Sequence, residues 1–238
     1  MRRKGNIMQE ITINIPQIDR RGSEAYKTLR ANLQFCGSDV KSIAITSCTP
    51  SEGKTTTSLN LAKSLADSGK RVLFIDADMR KSVLISRCRV QGSVRGLSHY
   101  LSGQAAFGDV VCSTNVPNMH MIFAGKTPPN PAELLGSKNF GLVMKKLKEI
   151  YDYIIVDTPP LGSVIDAAIV ANECDGSVLV LSANQISRRF ARKVVEQLKM
   201  AKCPVLGVIM NKVDMKNSTY GKYYGKYYGH DVDKYLQD

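Results

Sequence analysis

Residues 45–66 read ITSCTPSEGKTTTSLNLAKSLA, and the order of parts within them decides the fold. A buried-type strand runs into Pro50-Ser51-Glu52-Gly53-Lys54-Thr55-Thr56, and a helical pattern follows directly. A strand that passes through a Gly-Lys-Thr turn into a helix is the setting of a phosphate-binding P-loop. Backbone N–H groups at such a helix start wrap phosphate oxygens, and the helix dipole adds partial positive charge. In this arrangement Lys54 bridges β- and γ-phosphate oxygens, the Thr55 hydroxyl ligates Mg²⁺ and Thr56 touches the α-phosphate. Ser51, Glu52 and Gly53 complete the expected nucleotide cradle. Cys48 stands where the GxxxxGK[ST] pattern has its first glycine.

Working outward, short apolar runs alternate with longer amphipathic stretches. This predicts an α/β fold of the P-loop NTPase kind, a parallel β-sheet flanked by helices. Strands are expected at 41–47, 71–76, 119–124, 152–157, 176–182 and 204–210, as the continuous apolar runs of strands buried on both faces. Helices are expected at 23–36, 54–68, 137–150, 163–173 and 187–201, with short helices near 96–102 and 105–112. The chain divides into an N-terminal extension (1–20), one P-loop domain (21–214) and a tail (215–238). The tail holds STYGKYYGKYYGH (218–230), with GKYY twice in succession and no aliphatic residue. Such a segment cannot bury enough surface to offset the entropy of ordering, so a flexible tail is expected.

Two further stretches bring acids to strand ends. VLFIDADMR (72–80) carries Asp76 and Asp78, and IIVDTPP (154–160) carries Asp157. Ligands of parallel sheets gather at the carboxyl ends of strands, so all three acids are expected around Lys54. Phosphoryl transfer needs carboxylate near Mg²⁺ and a base near the nucleophile, and three acids supply both. MNKVD (210–214) matches an Asn-Lys-x-Asp guanine-binding pattern, yet Asn211 suits adenine equally, and no DxxG follows the 152–157 strand. The balance favours an ATP site over a GTP site.

The 238 residues are 43% hydrophobic and 23% charged, enough for one domain with a real core. No run approaches 18 apolar residues, and MRRKGNIMQEITINIP lacks the apolar stretch of a secretory signal. Six scattered cysteines without a CxxC pair point to reduced cytosolic thiols and away from a disulfide scaffold or zinc site. The formal charge of +12 favours acidic partners without choosing among them. The tyrosines are more telling, because six of the ten fall in the last 19 residues.

Taken together, the P-loop, VLFIDADMR, IIVDTPP and the tyrosine-rich end resemble the bacterial tyrosine kinases. These are the cytoplasmic autokinases of capsular and exopolysaccharide synthesis, encoded apart from a membrane activator. The resemblance covers roughly residues 20–238, and GKTPPNPAELLGSKNF (125–140) is also similar to the family's pattern. It implies ATP and Mg²⁺ as cofactors, Lys54 as the phosphate lysine, and Thr55 as a magnesium ligand. Asp76 is then the base facing a tyrosine hydroxyl and lies near the metal through water. Asp78 supports the geometry, and Asp157 holds the magnesium water shell. Arg80 and Lys81 would contact phosphate or an adjacent subunit. Tyr220, Tyr223, Tyr224, Tyr227, Tyr228 and Tyr235 become the phosphoacceptors.

SEAYKTLR (23–30) is similar to the family's Glu-x-x-Arg-x-x-Arg assembly motif, with Glu24 and Arg30 in place and Lys27 for the first arginine. Lysine keeps the charge but lacks the bidentate fork. The resemblance further implies a ring-like homo-oligomer, an opposing tyrosine phosphatase, and no nucleic-acid partner. A membrane adaptor of the polysaccharide chain-length type would recruit this cytoplasmic protein to the inner membrane face. The competing class is a partitioning-type P-loop ATPase that binds DNA or membrane as a dimeric switch. Ser47-Cys48-Thr49-Pro50-Ser51 lacks that group's signature lysine. The cations Arg188, Arg189, Arg192, Lys193, Lys199 and Lys202 read as a solvated helix face.

Overall fold

Strand β2 (Ser42–Ser47) is buried at all six positions, as happens only when both faces of a strand are covered. In the computed structural model, which describes residues 8–214, it sits well inside an eight-stranded sheet. The others are β1 (Gln9–Ile11), β3 (Val72–Asp76), β4 (Cys112–Thr114), β5 (Met119–Ile122), β6 (Tyr153–Asp157), β7 (Gly176–Ser182) and β8 (Val205–Asn211). Their order is β1-β4-β5-β3-β6-β2-β7-β8. All pairings are parallel except β4 with β5.

Among the described residues eight helices cover the sheet: α1 (Arg20–Phe35), α2 (Lys54–Asp67), α3 (Leu84–Arg87), α4 (Leu97–Leu101), α5 (Pro131–Leu135), α6 (Lys138–Ile150), α7 (Asp166–Asn172) and α8 (Arg188–Met200). The alternation of side chains along each strand feeds two cores. Ile43, Ile45, Phe74 and Ile155 meet Leu59 and Leu65 of α2, Leu33 of α1 and Leu84 of α3. Ala44, Leu73, Ile75 and Val156 meet Phe140 and Leu147 of α6, Ala167 of α7, and Val194 and Leu198 of α8. Each large apolar side chain sealed this way contributes about 1.5–3 kcal/mol.

The six long strand expectations agree with the structure to within two residues at each end. Helix α1 begins three residues before the expected 23 because the Asp19 carboxylate caps it, accepting the Gly22 N–H at 2.7 Å. The short helix expected at 105–112 is corrected: only a 3₁₀ turn at Phe107–Asp109 forms, and Cys112 already belongs to β4. Within residues 1–20, set apart by sequence as an extension, Gln9–Ile11 pairs with β4, and Ile11 and Ile13 are buried in the core. The tail expected to be flexible lies outside the described residues. Among the described residues no helix is long and apolar enough to cross a membrane.

The topology also opens a crevice. From β2 the chain crosses over β6 to reach β3, and from β6 it crosses over β2 to reach β7. The two connections leave the carboxyl edge in opposite directions, which is where α/β sheets bind ligands.

Candidate active site

The loop between β2 and α2 is bent by two residues in the left-handed region, Ser51 (φ 66°) and Gly53 (φ 89°). Gly53 is required twice over, since a Cβ there would lie 2.0 Å from the Asn211 Nδ2. Asn211, at the end of β8, donates to the Glu52 carbonyl at 2.8 Å, and Lys212 donates to the Ser51 carbonyl at 2.7 Å. Asn211 was expected to contact adenine; here its amide nitrogen braces the loop. Glu52 is likewise turned inward. Its carboxylate accepts the Thr49 N–H at 2.7 Å and the Ser182 N–H at 3.1 Å, tying the loop to β7. Cys48, in place of the pattern's first glycine, is fully buried, and its carbonyl would lie 2.1 Å from a Cβ on Gly162. The close approach is therefore made possible by Gly162, on the opposing loop.

Lys54 starts α2 and is nearly sealed, at 7% exposure. Its ammonium donates to one Asp157 oxygen at 2.8 Å, and the Thr55 hydroxyl donates to the other at 2.7 Å. Ser58, one helical turn beyond Lys54, adds a bond at 3.0 Å. Asp157 thus takes three donors from one helix. Sequence reading missed Ser58, although its i+4 spacing from Lys54 puts both on one face.

Asp76 is the register partner of Asp157 on the adjacent strand and is 2% exposed. Burial, with the Asp157 carboxylate alongside, pushes its carboxyl up to about 7. Bonds from the Ser82 hydroxyl and the Asp78 N–H, together with the Lys54 charge, offset only part of that rise. Ser82 is a second residue that sequence reading missed. Asp78 points elsewhere: one of its oxygens accepts the N–H groups of Arg80 (3.3 Å) and Lys81 (3.1 Å), so it orders the turn after β3.

Arg80 was expected to reach phosphate or a neighbouring subunit. Its guanidinium instead grips Asp166 at the start of α7 through two bonds, of 2.7 and 2.9 Å. Asp166 is fully buried, so this fork joins the Asp76 turn to α7. Thr56 bonds to the Arg87 guanidinium of α3, which sets a further cation at the crevice mouth. On α1, Glu24 and Lys27 pair with each other at 2.7 Å on an exposed face. Arg30 turns inward and donates to the Ser64 carbonyl of α2 at 2.8 Å.

Among the described residues no three His, Cys, Asp or Glu side chains gather into a self-sufficient metal site. The donor set still fits Mg²⁺, which keeps most of its waters and takes one or two carboxylates plus phosphate oxygens. Thr55 and Asp157 present a hydroxyl and a carboxylate 2.7 Å apart, and Asp76 lies alongside on the next strand. A backbone loop with left-handed bends, opening onto a helix start that carries a buried ammonium, fits a nucleotide triphosphate.

Comparison with known proteins agrees with that chemistry. Residues 40–204 match the AAA domain family. The chain is 46% identical to a tyrosine-protein kinase, CpsD, of Streptococcus agalactiae over 86% of its own length and 89% of that protein's. It overlays the kinase domain of the Escherichia coli tyrosine kinase ETK with a TM-score of 0.80 and 33% identity, covering 87% of this chain and 83% of the other. It also matches the septum site-determining protein MinD complexed with Mg-ADP from Pyrococcus horikoshii OT3. There the TM-score is 0.64 at 27% identity, with 73% and 71% covered.

Proposed function

From a chain that belongs to the bacterial tyrosine-protein kinases, we propose how its residues divide the transfer of the ATP γ-phosphoryl group to tyrosine hydroxyls. One observation supports the reading above others: Lys54, Thr55 and Ser58 converge on Asp157, one strand from a buried Asp76 whose carboxyl titrates near neutrality. Ser51, Glu52 and Gly53 offer backbone N–H groups to the phosphates, with Thr56 beside them. Lys54 exchanges Asp157 for β- and γ-phosphate oxygens when nucleotide enters. Thr55 and Asp157 would hold Mg²⁺, with Asp76 on the adjacent strand beside them. Bound with ATP, the metal neutralises charge on the phosphate oxygens.

Asp76 takes the proton of the incoming phenol. A free tyrosine hydroxyl titrates near 10, so a carboxylate at hydrogen-bond distance must accept its proton as the bond to phosphorus forms. Asp78 keeps the Asp76 turn in shape. The acceptors are Tyr220, Tyr223, Tyr224, Tyr227, Tyr228 and Tyr235. About 24 residues at roughly 3.3 Å each reach up to about 80 Å, far enough for an adjacent subunit. Glu24, Lys27 and Arg30 lie on the helix that would join subunits into a ring. Six phosphotyrosines add roughly −9 to −12 of charge against a formal +12, which loosens that assembly. The activity serves capsular or exopolysaccharide synthesis, with a membrane adaptor recruiting the chain and a phosphatase resetting it.

Incubation of the full chain with ATP and Mg²⁺, followed by mass mapping of residues 216–238, tests the reading. Phosphate on the tail tyrosines is expected in the wild type, with losses of at least 100-fold in Lys54→Met and Asp76→Asn. Nucleotide hydrolysis without any phosphotyrosine, adaptor present, would return the chain to the partitioning-type ATPases that the MinD likeness also suits.

A further inference from the structure

Strand β8 is an edge of the sheet, and its outer apolar side chains are left uncovered. Val208 and Met210 are 49% and 53% exposed, and they register with Leu179 and Leu181 of β7 on the face that α8 covers. Between α8 and this edge runs a groove with a floor of Leu179, Leu181, Ala191, Val195 and Val208. Its wall is cationic. Arg188, Arg192 and Lys199 line the groove, and Arg189 and Lys193 extend the positive surface over the first two turns of α8. Among the described residues that line the groove, Glu196 is the single acid. No side chain of these five cations forms an ion pair or hydrogen bond among the described residues. An apolar slot beside two arginines is chemically complementary to an aromatic ring that carries a phosphate.

The chain itself supplies such a group. Residues 215–238 follow β8 after a three-residue link, Lys212 to Asp214, and β8 ends at the same edge of the sheet from which α8 begins. From Asp214 to Tyr223 or Tyr224 is nine or ten residues, a reach of up to about 30 Å. Unmodified, residues 215–238 carry four lysines against three aspartates, so they have little net charge to offer a basic wall. Each phosphotyrosine adds about −1.5 to −2. We propose that the groove between α8 and the β8 edge is the docking site for the phosphorylated C-terminal segment of this chain, with a phosphotyrosine ring on the Leu181–Val195–Val208 floor and its phosphate on Arg188 and Arg192. Docking retires a modified tail from the crevice, so that an unmodified one can enter. The proposal rests on the kinase reading for its biological use, but the binding itself does not depend on catalysis.

The test therefore uses chemically made peptides. A peptide of residues 216–230 phosphorylated at Tyr223 and Tyr224 is titrated onto the phosphatase-treated full chain, next to its unphosphorylated twin, by fluorescence anisotropy. Binding of the phosphopeptide at least tenfold tighter than the twin is expected. The exposed pair Arg188→Ala/Arg192→Ala should cancel that preference while leaving the far-ultraviolet circular dichroism and the melting temperature unchanged. Equal affinity for the two peptides would overturn the proposal, and so would a preference that survives the double substitution. Binding to vesicles of phosphatidylglycerol that needs Arg188 and Arg192, with no phosphopeptide preference, would reassign the groove to a membrane surface. A chain that binds the phosphopeptide as expected yet never phosphorylates its own tail would sink the kinase reading and leave the docking site standing.

Discussion

Replacing Asp76 by asparagine should disable the chemistry and stabilise the ligand-free protein. The Asp76 carboxyl moves from an ordinary 3.8 in the unfolded chain to about 7 when folded, chiefly through burial and next through the Asp157 charge. Between pH 4 and 7 the folded chain holds a proton that the unfolded chain has released, so stability falls as pH rises through that window. Each pH unit of the interval is worth about 1.4 kcal/mol, so the loss is complete above pH 7 at about 4 kcal/mol. Asparagine keeps the shape and can still meet the Asp78 N–H and the Ser82 hydroxyl, but it has no proton to lose. Urea unfolding at pH 4, 6 and 8, in chelator and without nucleotide, measures the difference between the two proteins, and carboxylates common to both cancel. The variant should gain on the wild type by up to about 4 kcal/mol between pH 4 and 8. A difference that does not change with pH would refute the account of a neutral-range carboxyl held beside Asp157.

The neighbouring groups give companion results. Lys54→Met removes the cation from Asp157 and Asp76, so urea unfolding at pH 8 should show a loss of about 3 kcal/mol that shrinks at pH 5, where Asp76 is protonated. Arg80→Ala strands the fully buried Asp166; the cost should be about 2–3 kcal/mol, below the fully buried range because the guanidinium is 41% exposed. Gly53→Ala should weaken ATP binding at least tenfold by isothermal titration. Adding Asn211→Ala should restore only part, because it relieves the 2.0 Å clash but not the left-handed backbone.

The strand–loop–helix around Lys54 was legible because each part is local: an apolar run, a Gly-Lys-Thr turn and a helical period that follow one another in the chain. Asp76 and Asp157 were legible for the same reason, as acids closing apolar runs. What escaped was set by tertiary contact. Strands β1 and β4 are three residues each, too short for periodicity, and they exist because the sheet offers them an edge. Ser58, Ser82 and Asp166 are unremarkable in sequence and matter only through the groups that folding sets against them. Glu52 lies on the expected loop and Asn211 ends the strand beside it, yet their side chains hold that loop from behind. Asp78 sits in the expected motif and serves the turn.

All six cysteines lie within the described residues, and five are buried. Burial pushes Cys48 up to about 12, and Cys88 and Cys112 up to about 11, with Cys174 and Cys203 raised as well. At neutral pH those sulfurs carry almost no thiolate and are closed to reagents, the one behind the phosphate loop included. Cys36, capping the end of α1, is exposed. The native chain therefore comes with a built-in handle: a maleimide dye or spin label should settle at one position, on the helix bearing Glu24 and Lys27, without mutagenesis and without disturbing the nucleotide cradle.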